Sequence, residues 1–155
     1  MIETGTPAPD AVVFKAPREP IHLSDLYSDG ITVLLFFPFA FSSTCTAEMC
    51  TMAEDLAKYE RLGARVYGLS IDSPYTNIRF AKECGATFPI LSDFNREASR
   101  AFDVLRPDLG GLLDVSERAN FVIGRDGVVH YTWIGEHPGV MPPFDELAGA
   151  VAALS

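Results

Sequence analysis

Apolar and polar positions follow two rhythms along this chain. Residues 31–37, Ile-Thr-Val-Leu-Leu-Phe-Phe, run with no polar alternation beyond Thr32. A strand covered on both faces has this pattern. Pro38 has no amide to give to a ladder, so the strand is predicted to end there. From about Ser43 to Leu62 the rhythm becomes helical. Counted from Cys45 at about 100° per residue, Met49, Met52, Leu56 and Tyr59 fall on one stripe. Ser42, Ser43 and Thr44 stand just before it, and their hydroxyls suit a helix N-terminus.

The same reading extends to the flanks. Val12–Lys15 and Ile21–Leu23 predict a short hairpin, with 23–27 a turn into the first long strand. Arg65–Ile71 reads as a strand. Asp72-Ser73-Pro74 predicts a capped helix to Cys84, stopped by Gly85. Ile90-Leu91 is a short strand, and Asp93 is expected to start a helix running to Phe102. Residues 104–116 read as loop. Phe121–Ile123 and Val128–Trp133 flank Gly-Arg-Asp-Gly, a hairpin signal, and Pro142 opens a last amphipathic helix to Ala153. Right-handed crossovers would make the first long strands parallel, and the terminal hairpin would add antiparallel partners. The expected fold class is α/β: a thioredoxin-like central mixed sheet with helices on both faces and an N-terminal hairpin extension. Such a sheet puts Cys45 at the carboxyl edge of its strands, where open α/β sheets carry their sites.

Composition narrows the classes. The chain has 155 residues, is 48% hydrophobic and contains 11 Phe, enough for one domain over residues 1–155 with a sizeable core. A net charge of −9 argues against a nucleic-acid surface, which needs clustered Lys and Arg. No apolar run approaches membrane-spanning length and the N-terminus has no cationic apolar signal, so a soluble, cytoplasmic protein is expected. Three cysteines are too few for a disulfide scaffold at this size, and a cytosolic disulfide is more often catalytic.

That directs attention to the cysteines. Cys45 falls in the first turn of the long helix, where unpaired amides and the positive end of the macrodipole favour a thiolate, the nucleophilic form. Glu48 in the same turn opposes this, so a nearby cation is required. The rival reading is an inert, packed cysteine at a helix start. Cys50 lies about 140° round the helix from Cys45, with Glu54, Lys58 and Arg61 on the polar face. In an intact helix the two Cα atoms would stand about 8.6 Å apart. A disulfide spans no more than about 7 Å, so a Cys45–Cys50 bond requires the helix start to unwind.

The residues Pro38-Phe-Ala-Phe-Ser42-Ser-Thr-Cys45 match the Pro-x-x-x-Ser/Thr-x-x-Cys signature, and the chain resembles the peroxiredoxins in it. Thr46-Ala-Glu48-Met-Cys50 resembles the Q-type, or bacterioferritin-comigratory-protein, branch. Gly5–Asp10, Phe88–Asp93 and Arg118–Ile123 resemble further family segments, the last being the strand that carries the family's active-site arginine. The bulky Phe39 and Phe41 depart from the Q-type loop and are closer to the one-cysteine alkyl hydroperoxide reductase E type. Cys84 has no counterpart in the pattern.

The resemblance implies a thiol-dependent peroxidase acting on hydrogen peroxide and organic hydroperoxides. Cys45 would attack the peroxide and become a sulfenic acid. Ser42, the amides of Thr44 and Cys45, and Arg118 would supply donors to the reacting oxygens. Pro38 would keep water from the sulfur. Cys50 would resolve the sulfenic acid as an intramolecular disulfide, and a thioredoxin-like dithiol protein would reduce it. No metal or organic cofactor is implied, and monomer and homodimer both remain open. His22, His130 and His137 have no ligand spacing. The alternatives are a one-cysteine peroxidase resolved by an external thiol, with Cys84 a packed thiol or second resolver, and a thiol-disulfide oxidoreductase, which would want Cys-x-x-Cys. A copper-chaperone relative would want two cysteines on one ligand face, and a non-enzymatic binding module would not need Pro38, Ser42, Cys45 and Arg118 together.

Overall fold

Strand β3, Ile31–Phe36, is buried at every position and sits inside the sheet as the uninterrupted apolar run predicts. The pleat sends Ile31, Val33 and Leu35 into one core cluster and Leu34 and Phe36 into another on the opposite face. The computed structural model describes all of residues 1–155. The other strands are β1 (Val12–Ala16), β2 (Glu19–His22), β4 (Ala64–Ser70), β5 (Ile90–Ser92), β6 (Leu105–Leu109), β7 (Leu112–Ser116), β8 (Ala119–Ile123) and β9 (Val129–Ile134). The helices are α1 (Leu23–Tyr27), α2 (Ser43–Arg61), α3 (Pro74–Cys84), α4 (Glu97–Ala101) and α5 (Phe144–Ala152).

Seven strands form one mixed sheet in the order β2-β1-β5-β4-β3-β8-β9. β3, β4 and β5 are parallel, while β8 joins β3 and β9 joins β8 in antiparallel fashion. The N-terminal hairpin extends the other edge, with β1 antiparallel to β5. Apolar faces of α2, α3 and α5 cover one side of the sheet and α1 and α4 the other. This is the mixed, two-sided thioredoxin-like architecture expected from the pattern. Met49 of α2 packs close over β4 at Gly68, where an added Cβ would lie 3.3 Å from the Met49 sulfur.

Several local expectations are corrected. Residues 23–27 form a one-turn helix rather than a turn. The helix expected from Asp93 starts only at Glu97, because the chain first turns through Arg96 at a positive φ of 62°. Asp93 still acts as its anchor, accepting from the amides of Ala98 and Ser99 at 2.9 and 2.8 Å. Residues 104–116 are no loop. Most of them form the separate antiparallel pair β6–β7, joined by Gly110 and Gly111, both at positive φ. Pro107 and the exposure of Leu112 and Leu113 hid the alternation. No helix is long and apolar enough to cross a membrane.

Candidate active site

Strand β3 delivers the chain to the site. The amide of Phe37 still bonds the Leu69 carbonyl at 3.0 Å, and the ladder stops at buried Pro38. The bridge from Pro38 to Ser42 is held in place by Asp72, whose Oδ2 accepts from the Ala40 amide and from the Ser70 hydroxyl, each at 2.7 Å. Phe41 takes a positive φ of 69°, which is costly for an aromatic residue. Its ring rests on Phe80 of α3 with centroids 5.0 Å apart, yet it remains 51% exposed. Phe39 is partly buried.

Helix α2 begins after Ser42, whose backbone is extended at φ −68° and ψ 153°. The Ser42 carbonyl accepts the first helical bond, from Thr46. Its hydroxyl does not cap the helix, contrary to the expectation from sequence. It donates backward to the Phe39 carbonyl at 3.0 Å. The amides of Ser43, Thr44 and Cys45 therefore have no protein acceptor.

The predicted stripe is inward-facing as read: Cys45, Met49, Met52, Leu56 and Tyr59 are all buried. Beneath Cys45 lies Arg118, which immediately precedes β8 and is 1% exposed. Its Nη2 donates to the Cys45 sulfur at 3.1 Å and its Nη1 to Glu48 Oε1 at 2.6 Å. Nε and Nη2 both donate to the Pro138 carbonyl, at 3.0 and 2.8 Å. The cation that Glu48 demanded is thus Arg118, brought across 70 residues of sequence by the β3–β8 pairing.

The electrostatics follow from burial. Glu48 is fully buried, Oε2 has no partner, and burial pushes its carboxyl up to about 7 against the pull of Arg118. Burial also works against the guanidinium, but Glu48 and the Cys45 sulfur more than offset it and hold the Arg118 pKa above its ordinary value. This buried trio forms one connected set of charge-assisted hydrogen bonds.

Sequence reasoning missed two parts of the set. The sequence puts Asp72 in the α3 cap; the cap is Ser73, which accepts from Thr76, and Asp72 instead fixes the Pro38–Ser42 bridge. The Pro138 carbonyl carries no signal in sequence at all, because any residue type could present it. Cys50 is not on an open polar face. It is half-buried, and the Cys84 sulfur at the end of α3 stands over the same turn of α2, 4.0 Å from the Thr46 carbonyl. His22 bonds Asp10, His130 bonds Asp126, and His137 accepts from the Gly139 amide. No three His, Cys, Asp or Glu side chains converge as a metal ion would need. A surface depression of about 860 Å³ lies at the opposite edge of the parallel strands around Gly63–Tyr67 and is lined by none of Cys45, Glu48, Arg118, Pro38 and Ser42. The unpaired amides and the guanidinium, not cavity size, mark the chemistry.

Comparison with known proteins accords with this geometry. The sequence profile of the AhpC/TSA family matches residues 4–132. Alkyl hydroperoxide reductase E of Mycobacterium tuberculosis is 27% identical over 157 residues, covering 100% of this chain and 99% of its own. Peroxiredoxin-2 of Bos taurus is 33% identical over 145 residues, covering 86% of this chain and 70% of its own. The crystal structure of the peroxidoxin BcpB from M. tuberculosis is similar with a TM-score of 0.86 at 28% identity, covering 100% of this chain and 99% of that one.

Proposed function

This chain belongs to the AhpC/TSA family and is a thiol-dependent peroxidase of the peroxiredoxin kind, and from that premise we propose that Cys45 is the sulfur that reduces the peroxide. The observation that carries the assignment is the 3.1 Å contact between Arg118 Nη2 and the Cys45 sulfur, made inside the sheet edge beside three unpaired helix amides.

The Cys45 thiolate attacks the terminal oxygen of the peroxide. The S–O bond forms as the O–O bond breaks, sulfur is oxidised to sulfenic acid, and hydroxide or alkoxide departs and takes a proton from water. Negative charge shifts from sulfur onto both oxygens. Arg118 and the amides of Thr44 and Cys45 take up that charge in this reading, which the lack of other protein acceptors for those amides supports. The Ser42 hydroxyl joins them by turning from the Phe39 carbonyl, a bond it can exchange without breaking a cap. Buried Pro38 shields the sulfur from bulk water. The half-exposed Phe41 ring offers an apolar wall, which suits organic hydroperoxides as well as hydrogen peroxide.

Cys50 then resolves the sulfenic acid. Its sulfur attacks the Cys45 sulfur as the S–O bond breaks, the Cys50 thiol proton goes to the departing oxygen, water leaves, and a Cys45–Cys50 disulfide forms. That bond requires the first turns of α2 to open, since helical Cα atoms at this spacing stand about 8.6 Å apart. A thioredoxin-like dithiol protein returns both sulfurs to thiols by exchange. A second reading, in which an external thiol resolves Cys45 directly, draws on the full-length similarity to alkyl hydroperoxide reductase E together with the opening that Cys50 needs. Peroxide consumption with a dithiol reductant, followed by intact mass, tests both. Cys45→Ser should abolish turnover. Cys50→Ser should still form one sulfenic acid per peroxide but no internal disulfide. Turnover retained in Cys45→Ser would overturn the assignment of the peroxide-reducing sulfur.

A further inference from the structure

Cys84 is the last residue of α3, and its sulfur lies 4.0 Å from the Thr46 carbonyl of α2. Thr46 is one helical turn before Cys50, so the Cys84 thiol sits over the turn that ends at Cys50. Both cysteines are half-buried, and the Cys50 thiol is near enough to Cys84 to push the Cys84 thiol up. The position of Cys84 is fixed on its far side. Gly85 closes α3 in the left-handed conformation, and the amides of Gly85 and Ala86 bond back to Lys82 and Ala81 at 3.1 and 2.9 Å. The apolar side of Cys84 packs against the core cluster that contains Cys45 and Met49. Two cysteines facing each other across one turn of α2 and the end of α3, with neither in the peroxide-reducing trio, need a reason.

We propose that Cys50 and Cys84 form a second disulfide, downstream of Cys45, which takes the oxidising equivalent off the peroxide-reducing sulfur and stores it between α2 and α3. The inference rests on the reading that Cys50 resolves Cys45. Two balanced steps are involved. Cys45–SOH and Cys50–SH give Cys45–S–S–Cys50 and water. The Cys84 thiolate then attacks the Cys50 sulfur, the Cys50–Cys84 bond forms, and Cys45 leaves as a thiolate. The proton lost from Cys84 goes to water, and the incoming dithiol reductant acts on the Cys50–Cys84 bond.

Geometry gives the second step its direction. The Cys45–Cys50 bond is incompatible with folded α2, whereas Cys50 and Cys84 are neighbours when both helices are intact. Exchange therefore lets α2 close again, with Cys45 and Met49 buried and the Glu48–Arg118 pair remade. The departing sulfur is the one that regains the hydrogen bond from Arg118 when α2 closes. Timing follows from the same contact. Burial, then the Cys50 thiol and the Glu83 carboxylate, push the Cys84 thiol up to about 12, so it is silent while Cys50 is in place. Opening α2 lifts part of that burial and turns the Cys50 thiol into a disulfide sulfur that Cys84 can attack.

The experiment is a peroxide titration of the reduced protein without any reductant, quenched at early and late times and mapped by alkylation and peptide mass. Wild type should pass from a Cys45–Cys50 to a Cys50–Cys84 linkage with Cys45 again alkylatable. It should then consume a second equivalent of hydrogen peroxide at Cys45. Cys84→Ser should stop at Cys45–Cys50 after one equivalent. Wild type that stops at Cys45–Cys50 with Cys84 still a free thiol, or that ends as Cys45–Cys84, overturns the relay. Absence of any Cys45–Cys50 bond in Cys84→Ser would instead overturn the underlying resolver assignment, so the two failures are separable.

Discussion

Helices α2 and α3 leave neighbouring parallel strands in the same manner and put their first turns to different uses. Each begins after a serine in extended backbone, Ser42 at φ −68° and ψ 153°, Ser73 at φ −64° and ψ 159°. Ser73 accepts from the Thr76 amide, and Pro74 occupies the first helical position where no amide is needed. Ser42 turns its hydroxyl away and leaves three amides bare. The α3 start is sealed by its own residues. The α2 start is held instead by a distant group, through Glu48 and Cys45 on Arg118. Bare amides at the α2 start fit the proposed peroxide site, whose donors would be lost to a cap.

The largest test of that contrast is the removal of Arg118. Arg118→Met should cost about 3–5 kcal/mol in urea unfolding, because it leaves the Glu48 carboxylate buried and unpaired. Peroxide reduction should fall by roughly 10²–10³-fold, the loss expected for one donor aimed at developing charge. Arg118→Met with Glu48→Gln should regain much of the stability and none of the rate. If the double variant is no more stable than the single one, the pair does not hold the α2 start and the contrast with α3 loses its basis.

The contrast was only half legible in the sequence. The stripe from Cys45 to Tyr59 and the run from Ile31 to Phe37 gave the strand, the helix and the position of Cys45 between them, because local periodicity encodes burial directly. Both serines read as caps, since nothing in Ser-Ser-Thr or Asp-Ser-Pro tells which hydroxyl turns inward. The Arg118 contact depends on β8 pairing with β3 and came from motif resemblance rather than from spacing. The Cys50–Cys84 contact was invisible for a related reason. Helical phase puts Cys50 opposite Cys45, but only the packing of α3 beside α2 makes that side an interface. The β6–β7 pair was missed because its alternation is not a burial alternation: β6 has no fully buried residue, and the first three residues of β7 are exposed.

Glu48 supplies a second test. Its carboxyl is raised by burial from the ordinary value of 4.5 to about 7. Between those pH values the folded protein binds a proton that the unfolded chain does not. The stability contributed by this group is therefore complete below about pH 4.5 and is lost as pH rises through 7. Urea unfolding at pH 5, 6, 7 and 8 should show wild type losing on the order of 2 kcal/mol across this range relative to Glu48→Gln. Parallel pH profiles would mean that Arg118 outweighs the burial of Glu48.

Hydrogen exchange tests the same contrast without altering a residue. In the reduced protein the amides of the first α2 turns, from Thr46 to Cys50, should open more readily than those of α3 after Thr76, by about 1 kcal/mol, the worth of a cap. In Cys84→Ser protein oxidised with one equivalent of hydrogen peroxide, protection across residues 42–52 should collapse while α3 keeps its own. Unchanged protection in a sample shown by mass to carry Cys45–Cys50 would contradict the requirement for unwinding.

The smallest effect is the most discriminating. Ser73→Ala should cost about 1 kcal/mol, since the Thr76 amide loses its acceptor beside the sheet. Ser42→Ala removes only a bond to the Phe39 carbonyl at an exposed position, and surface changes of this sort stay within about 0.5 kcal/mol. Peroxide reduction should respond in the opposite order: unchanged in Ser73→Ala and slowed roughly ten- to a hundredfold in Ser42→Ala, as for loss of one preorganised donor weaker than Arg118. The two serines share a backbone conformation, so propensity cannot explain such a crossing of stability and rate. It would follow only if one hydroxyl serves the helix and the other serves the substrate. Equal stability losses at both positions would show that Ser42 caps α2 in solution, and the bare amides would then need another account.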